Sequence, residues 1–194
     1  MLSDLQVEKF QSKFDFLDVD KNGVVERADF EKALDRLAQE RGVQDDPGGL
    51  ERLTDRYNGM WRLLQRLCDA DGNGQISLQE WLDYLNRALE EDRRQRAQSS
   101  HYRSPFEEMA RHFFELLDVR GNGVVSLEEY RAFCLAHGVE AGRVQECFGK
   151  LDVNGDGRLG RDEVIDMVLE FYFSDDPAAL GNWLFGGYSR PSTN

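Results

Sequence analysis

The sequence predicts an all-α fold of four helix–loop–helix units in two pairs, with a short β-bridge joining the loops of each pair. Three observations lead there. A twelve-residue segment recurs four times, as DVDKNGVVERAD from Asp18, DADGNGQISLQE from Asp69, DVRGNGVVSLEE from Asp118 and DVNGDGRLGRDE from Asp152. Apolar residues recur three and four apart on both sides of every copy, which is the period of an amphipathic helix. The eighth residue of each copy is apolar (Val25, Ile76, Val125, Leu159), an inward-facing position shared by all four loops.

Taken in chain order, the elements follow from local signals. Ser3 and Gln6 form a helix-start signal, and Val7, Phe10, Phe14 and Leu17 carry the first stripe. Phe30, Ala33, Leu34 and Leu37 follow the first loop. Leu53, Tyr57, Met60, Leu64 and Leu67 precede the second, and Trp81, Tyr84, Leu85 and Ala88 follow it. Ser104 before Pro105 places proline at the first position of a helix, whose stripe is Met109, Phe113, Leu116 and Leu117. Tyr130, Phe133, Cys134 and His137 follow the third loop. Val144, Phe148 and Leu151 precede the fourth, and Val164, Met167, Val168, Phe171 and Tyr172 follow it. All of these stripes are read as core. Pro177 stops the last helix.

The copies begin 51, 49 and 34 residues apart. The first two intervals hold extra helix together with the stretches Gly42–Gly49 and Glu90–Pro105. The expected organisation is an N-terminal pair over 1–92, a linker over 93–104, a C-terminal pair over 105–175 and a closing segment over 176–194.

The second and fourth copies match D-x-[DN]-x-[DN]-G-x5-E in full, and the chain is thereby identified as a member of the EF-hand family. The residue types have physical reasons. Positions 1, 3 and 5 present oxygens to a hard cation, position 7 offers its backbone carbonyl, and position 12 supplies a bidentate carboxylate. Position 6 needs a positive φ, hence Gly23, Gly74, Gly123 and Gly157. In the second and third copies Ser77/Glu80 and Ser126/Glu129 also form capping boxes. A glutamate at position 12 therefore has a structural use with or without metal.

Three Ca2+ sites are expected. Hand 1 offers Asp18, Asp20, Asn22, the Val24 carbonyl, Glu26 and Asp29. Asp29 is one methylene shorter than glutamate, which weakens bidentate reach and favours competition by the smaller Mg2+ at this hand. Hand 2 offers Asp69, Asp71, Asn73, the Gln75 carbonyl, Ser77 and Glu80. Hand 4 offers Asp152, Asn154, Asp156, the Arg158 carbonyl and Glu163, with Gly160 at position 9, where water can stand in. Hand 3 keeps Asp118, Asn122, the Val124 carbonyl and Glu129 but has Arg120 at position 3. A divalent and a monovalent cation ~5 Å apart repel by about 7 kcal/mol at an effective dielectric of 20. A micromolar site is worth about 8 kcal/mol in all. Hand 3 is expected to be metal-free, with Arg120 taking the ion's part by pairing with Asp118, Glu129 or an acidic neighbour.

Composition agrees with a cation binder. The chain has 194 residues, 37 of them acidic against 24 basic, and a net charge of −13. That balance argues against nucleic acid and anionic membranes as partners. Cys68, Cys134 and Cys147 are odd in number, lack metal spacing and lie in helical stripes, so they are read as reduced core thiols of a reducing, cytoplasmic compartment. The N-terminus shows no signal-peptide pattern, and no apolar run is long enough to span a membrane.

The uneven spacing and the tail FYFSDDPAALGNWLFGG (Phe171–Gly187) resemble bacterial calerythrin, its actinobacterial relatives and sarcoplasmic calcium-binding proteins. That resemblance implies a compact arrangement with both apolar faces turned inward and a C-terminal segment closing over the core, so that Trp183, Leu184 and Phe185 are buried. One departure stands out. The family usually keeps the third hand intact and loses the second, the reverse of this sequence. The function expected is a monomeric Ca2+ buffer and not an enzyme. The alternative is a Ca2+ sensor that changes shape and binds a protein target; four methionines are few for the Met-rich groove of a promiscuous sensor. A chromophore-binding relative of the coelenterazine photoproteins is disfavoured. Only His101, His112 and His137 are present, and phenylalanine and leucine dominate the stripes.

Overall fold

A computed structural model describes residues 1–41, 47–99 and 101–187. Among the described residues, eight α-helices and four three-residue strands form four helix–strand–helix units. Helix α1 (Asp4–Leu17), β1 (Val24–Glu26) and α2 (Arg27–Arg41) make hand 1. Helix α3 (Pro47–Cys68), β2 (Gln75–Ser77) and α4 (Leu78–Gln98) make hand 2. Hand 3 is α5 (Pro105–Leu117), β3 (Val124–Ser126) and α6 (Leu127–Ala136). Hand 4 is α7 (Ala141–Leu151), β4 (Arg158–Gly160) and α8 (Arg161–Phe173), followed by a 3-10 helix at Leu180–Trp183.

Local chemistry sets the helix starts. Ser3/Gln6, Ser77/Glu80 and Ser126/Glu129 all form reciprocal capping boxes. Ser104 caps α5, with Pro105 at the first helical position. The loops pair antiparallel within each pair of hands, Val25 facing Ile76 and Val125 facing Leu159. All four of these side chains are buried.

The two pairs of hands share one core. Helix α2 packs on α6 and α3 on α5, while α1 lies against α4 and the 3-10 helix against α7 and α8. A continuous apolar cluster runs from Phe10 to Phe185. Among the described residues, the only large apolar side chains left exposed are Met1 and Val153. Polar contacts cross the seam between the pairs where helices end. Arg36 of α2 donates to the Ala136 carbonyl at the end of α6 (3.1 Å), and Gln6 of α1 donates to the Tyr172 carbonyl near the end of α8 (3.1 Å). Both satisfy carbonyls that a helix C-terminus leaves open.

The three cysteines are buried and free, and burial pushes Cys68 and Cys134 up to about 12. Helix α4 continues through residues 93–98 of the expected linker. Of the stretch Gly42–Gly49, residues 42–46 lie outside the described residues, and Pro47–Gly49 begin α3. The tail folds back over α7 and α8. The Tyr130 hydroxyl donates to the Trp183 and Leu184 carbonyls (3.1 and 3.2 Å), Arg143 Nε to the Gly186 carbonyl (3.1 Å), and the Gly181 N–H to Glu170 (2.7 Å). Leu184 and Phe185 are buried as expected. Trp183 is only half-buried, because its ring faces the cationic Arg143 and Lys150, 4.8 and 5.8 Å from its centroid, at the rim of the core.

Candidate metal centres

Each loop is built the same way from its first aspartate. The Asp18 carboxylate accepts from the Asn22 and Gly23 N–H groups (3.1 and 2.9 Å). The same two contacts recur at Asp69, Asp118 and Asp152. Turning the backbone this tightly takes two left-handed residues. One is the glycine at position 6. The other, at position 4, was not read from the sequence. Glycine stands there in hands 2, 3 and 4, but hand 1 holds Lys21 at φ 62°, a cost of about 1–2 kcal/mol for an L-residue.

Position 12 closes each loop. Asp29, buried, accepts from the Val19 and Asp20 N–H groups through Oδ1 (2.8 and 3.2 Å) and from the Glu26 N–H through Oδ2 (2.9 Å). The shorter side chain thus still spans its loop. Burial pushes its carboxyl up, against the lowering effect of those three N–H groups. Glu80 bridges the Ala70 and Ser77 N–H groups, and donation from Ser77's backbone and hydroxyl holds it below the usual carboxylate range. Glu129 bridges Arg120 and Ser126 in the same way (3.0 Å each), and Glu163 accepts from Gly160 (2.8 Å).

Oxygen sets converge in two hands. One carboxylate oxygen from each of Asp18, Asp20 and Asp29 lies within 4.8 Å of the others, and the same holds for Asp69, Asp71 and Glu80. Ligands to one Ca2+ at 2.3–2.6 Å stand at most about 5 Å apart, so both trios fit a single cation. Around them Asn22 and Asn73 hold their side-chain oxygens against the N–H groups of Val24 and Gln75 (3.0 and 2.7 Å). Glu26 does not stand apart as a position-9 ligand. Its Oε2 accepts from Gln75 across the β-bridge (2.8 Å), tying loop 1 to loop 2. Ser77, the position-9 residue of hand 2, donates its hydroxyl to Glu80 (2.8 Å).

Hands 3 and 4 differ. In hand 4 the Asn154 amide nitrogen lies 3.3 Å from Asp156 and 3.2 Å from Glu163, so an amide draws these carboxylates together. Asp152, Asp156 and Glu163 are not among the close trios of the described residues. In hand 3 only Asp118 and Glu129 remain as carboxylates at ligand positions, and both are buried. Arg120 is exposed, and its backbone N–H donates to Glu129 (3.0 Å). The cation that reaches the loop is Arg56, from α3 in the other pair. It donates to the carbonyls of Glu115 (2.8 Å) and Asp118 (2.6 Å), where α5 runs into loop 3. Nothing in the sequence marks this contact, because Arg56 is one of many basic residues on a helix with an ordinary amphipathic pattern. Lys9 and Lys13 did carry a signal. They occupy the i+4 row that begins at Leu5 and ends at Leu17.

An EF-hand domain pair model matches residues 63–135 and an EF hand model matches residues 144–168. Calerythrin of Saccharopolyspora erythraea is 24% identical over 173 residues, covering 89% of this chain and 95% of that protein. The sarcoplasmic calcium-binding protein alpha chain of Penaeus vannamei is 24% identical over 183 residues, covering 87% and 88%. Among solved structures, the calcium-loaded apo form of the coelenterazine-binding protein from Renilla muelleri superposes with a TM-score of 0.71 at 23% identity, covering 96% of this chain and 99% of that one.

Proposed function

Because this chain belongs to the EF-hand superfamily and is homologous to calerythrin and the sarcoplasmic calcium-binding proteins, we propose that it is a Ca2+ buffer loading three ions, at hands 1, 2 and 4. One observation supports buffering over sensing more than any other. The two pairs bury their apolar faces against each other, and the described residues leave no exposed apolar groove for a target helix. Three divalent ions add six positive charges to a chain of net charge −13. They thereby relieve self-repulsion and stabilise the folded state by an amount that grows with the logarithm of the ratio of their concentration to Kd.

Calorimetric titration with Ca2+, with and without Mg2+, tests this together with ANS fluorescence. The expected result is three ions per chain and no Ca2+-induced rise in ANS signal. Arg120→Asp is expected to add a fourth ion. A several-fold ANS rise on adding Ca2+ replaces the buffer reading with the sensor reading, and fewer than three ions in the wild type removes one of the assigned hands.

Hand 1 is the site at which Mg2+ competes. Asp29→Glu restores the longer carboxylate, and the expected outcome is about ten-fold tighter Ca2+ binding at that hand, or about 1.4 kcal/mol, with Mg2+ unchanged or weaker. Equal gains for both ions, read by competition titration, contradict this account of Asp29.

A further inference from the structure

At the seam between the two pairs lies an apolar cavity of about 30 Å3, with Lys13, His137 and Tyr172 among its lining residues and Met60 and Met109 in its wall. Room of that size takes about two water-sized groups. It is far below the ~300 Å3 or more of a pocket for a drug-sized ligand. The reading as a binder of a large chromophore therefore has no support in this cavity.

Its chemistry is unusual for an EF-hand core. The chain has only five lysines (Lys9, Lys13, Lys21, Lys32 and Lys150), and two of them are buried in α1. The Lys13 amine contacts the Tyr172 hydroxyl and the faces of four rings, Phe185 and Tyr172 nearest at 4.4 and 4.6 Å, then Trp81 and Phe171 at 5.8 Å. Facing the same cavity is His137, also buried. Its Nδ1 lies 3.2 Å from the Phe16 carbonyl, and an oxygen there can only accept, so Nδ1 carries the hydrogen. Nε2 is then an acceptor, and it has no hydrogen-bond partner. The cavity thus holds a desolvated amine and a buried, unfilled acceptor, which are costly to leave unused.

We propose that this cavity is a binding site for a short-chain aldehyde, held as an imine on Nζ of Lys13. The amine nitrogen attacks the carbonyl carbon and a C–N bond forms, giving a carbinolamine. The C–O bond then breaks, and the oxygen leaves as water with the two hydrogens that were on the neutral amine. No oxidant or reductant enters the balance. While the carbinolamine lasts its hydroxyl can donate to His137 Nε2, the acceptor that favours this intermediate on the way to the imine, and the Tyr172 hydroxyl holds the nitrogen in place. A two-carbon aldehyde leaves two carbon atoms in a space with room for two small groups. Burial pushes Lys13 down to about 7, so at slightly alkaline pH most of its amine is the free base, whereas an exposed lysine stays protonated. A desolvated lysine in an apolar pocket is an activated nucleophile of this kind.

The test is reductive trapping on the intact, Ca2+-saturated chain at about pH 7.5, where a surface lysine is almost wholly protonated. Acetaldehyde and cyanoborohydride are added, and peptide mass mapping counts ethyl groups at each lysine. The expected result is about ten-fold or more labelling of Lys13 over Lys21, Lys32 and Lys150. That preference should vanish in denaturant and be absent with benzaldehyde, which the cavity is too small to admit. Lys9 is the internal control. It is also buried, and burial lowers it to about 8, but its amine is committed to the Ser174 carbonyl at 2.7 Å. Labelling of Lys13 at or below the surface lysines overturns the proposal. So does preferential labelling of Lys9, or equal labelling of Lys13 by benzaldehyde.

Discussion

Replacing Lys13 with methionine is expected to raise the stability of the folded chain by about 1–4 kcal/mol at pH 7, the range found when a buried ionic group gives way to an apolar one of similar volume. The gain should depend on pH in a definite direction. In the folded chain burial lowers Lys13 to about 7 from its ordinary 10.5, so between those values the unfolded chain binds more protons than the folded one. Wild-type stability therefore contains a term that rises with pH across that window, by at most about 1.4 kcal/mol per pH unit. Below pH 7 the lysine is charged in both states and the penalty is fully present. The advantage of Lys13→Met should thus be largest at and below pH 7 and shrink toward pH 9.

Working with the difference between variant and wild type cancels the contributions of Lys9 and of the net negative charge. The ring contacts around Nζ work the other way. Cation–π attraction is worth up to about 2 kcal/mol when desolvated, which is less than the cost of taking an ammonium ion out of water. Urea unfolding of both proteins at fixed Ca2+ from pH 6.5 to 9 is the measurement. A variant less stable than wild type, or a gain independent of pH, would show that the amine is not the strained group in the core.

The second large effect is expected at Gly181. The 3-10 helix of the tail lies directly on α8, and a Cβ at Gly181 would stand 2.4 Å from the Met167 carbonyl oxygen and 2.6 Å from the Phe171 nitrogen. Both are backbone atoms of a helix, so no side chain can turn aside. Gly181→Ala must either lift the tail or bend α8, at about 1–3 kcal/mol or more, which is a fall of roughly 3–10 °C in Tm for a domain of this size. Lifting the tail also exposes Leu184 and Phe185 and breaks their contacts with α6 and α8, where Phe185 lies 4.9 Å from Phe171. Gly142 provides the contrast. It lies in α7 with nothing within 4 Å of an added Cβ, so Gly142→Ala should stabilise by up to about 1 kcal/mol through helix propensity. Scanning calorimetry of the two variants decides the matter. Equal effects, or a neutral Gly181→Ala, would mean that the tail is not seated on α8 as described.

Much of this molecule was legible in its sequence because the relevant rules act over a few residues. A capping box spans four positions, so Ser77/Glu80 and Ser126/Glu129 announce helix starts by themselves. The loop motif spans twelve, so the oxygens of hands 1 and 2 and the glycines at position 6 could be read directly. The bridges Val25–Ile76 and Val125–Leu159 agree with what the EF-hand resemblance implies for an apolar residue at position 8. The eight helical stripes became one core, since periodicity marks which face must be buried.

What the tertiary structure alone decided are the partners across the seam. The substitution at Arg120 was visible, but the cation that meets loop 3 is Arg56, some sixty residues earlier and in the other pair. Sequence spacing holds no information about such a meeting, because it depends on how α3 lies against α5. Lys9 and Lys13 lie in the apolar row from Leu5 to Leu17, but only α8 and the tail closing over them decided that both amines are buried. The unfilled acceptor of His137 likewise exists only because α1 and α6 bring its other nitrogen to the Phe16 carbonyl. The sequence alone determined four loops, their turns and their inward faces, since hydrogen bonds and periodicity over twelve residues suffice for that. The packing of one pair on the other decided which charges were stripped of water, since desolvation depends on every neighbour and not on the nearest few in the chain.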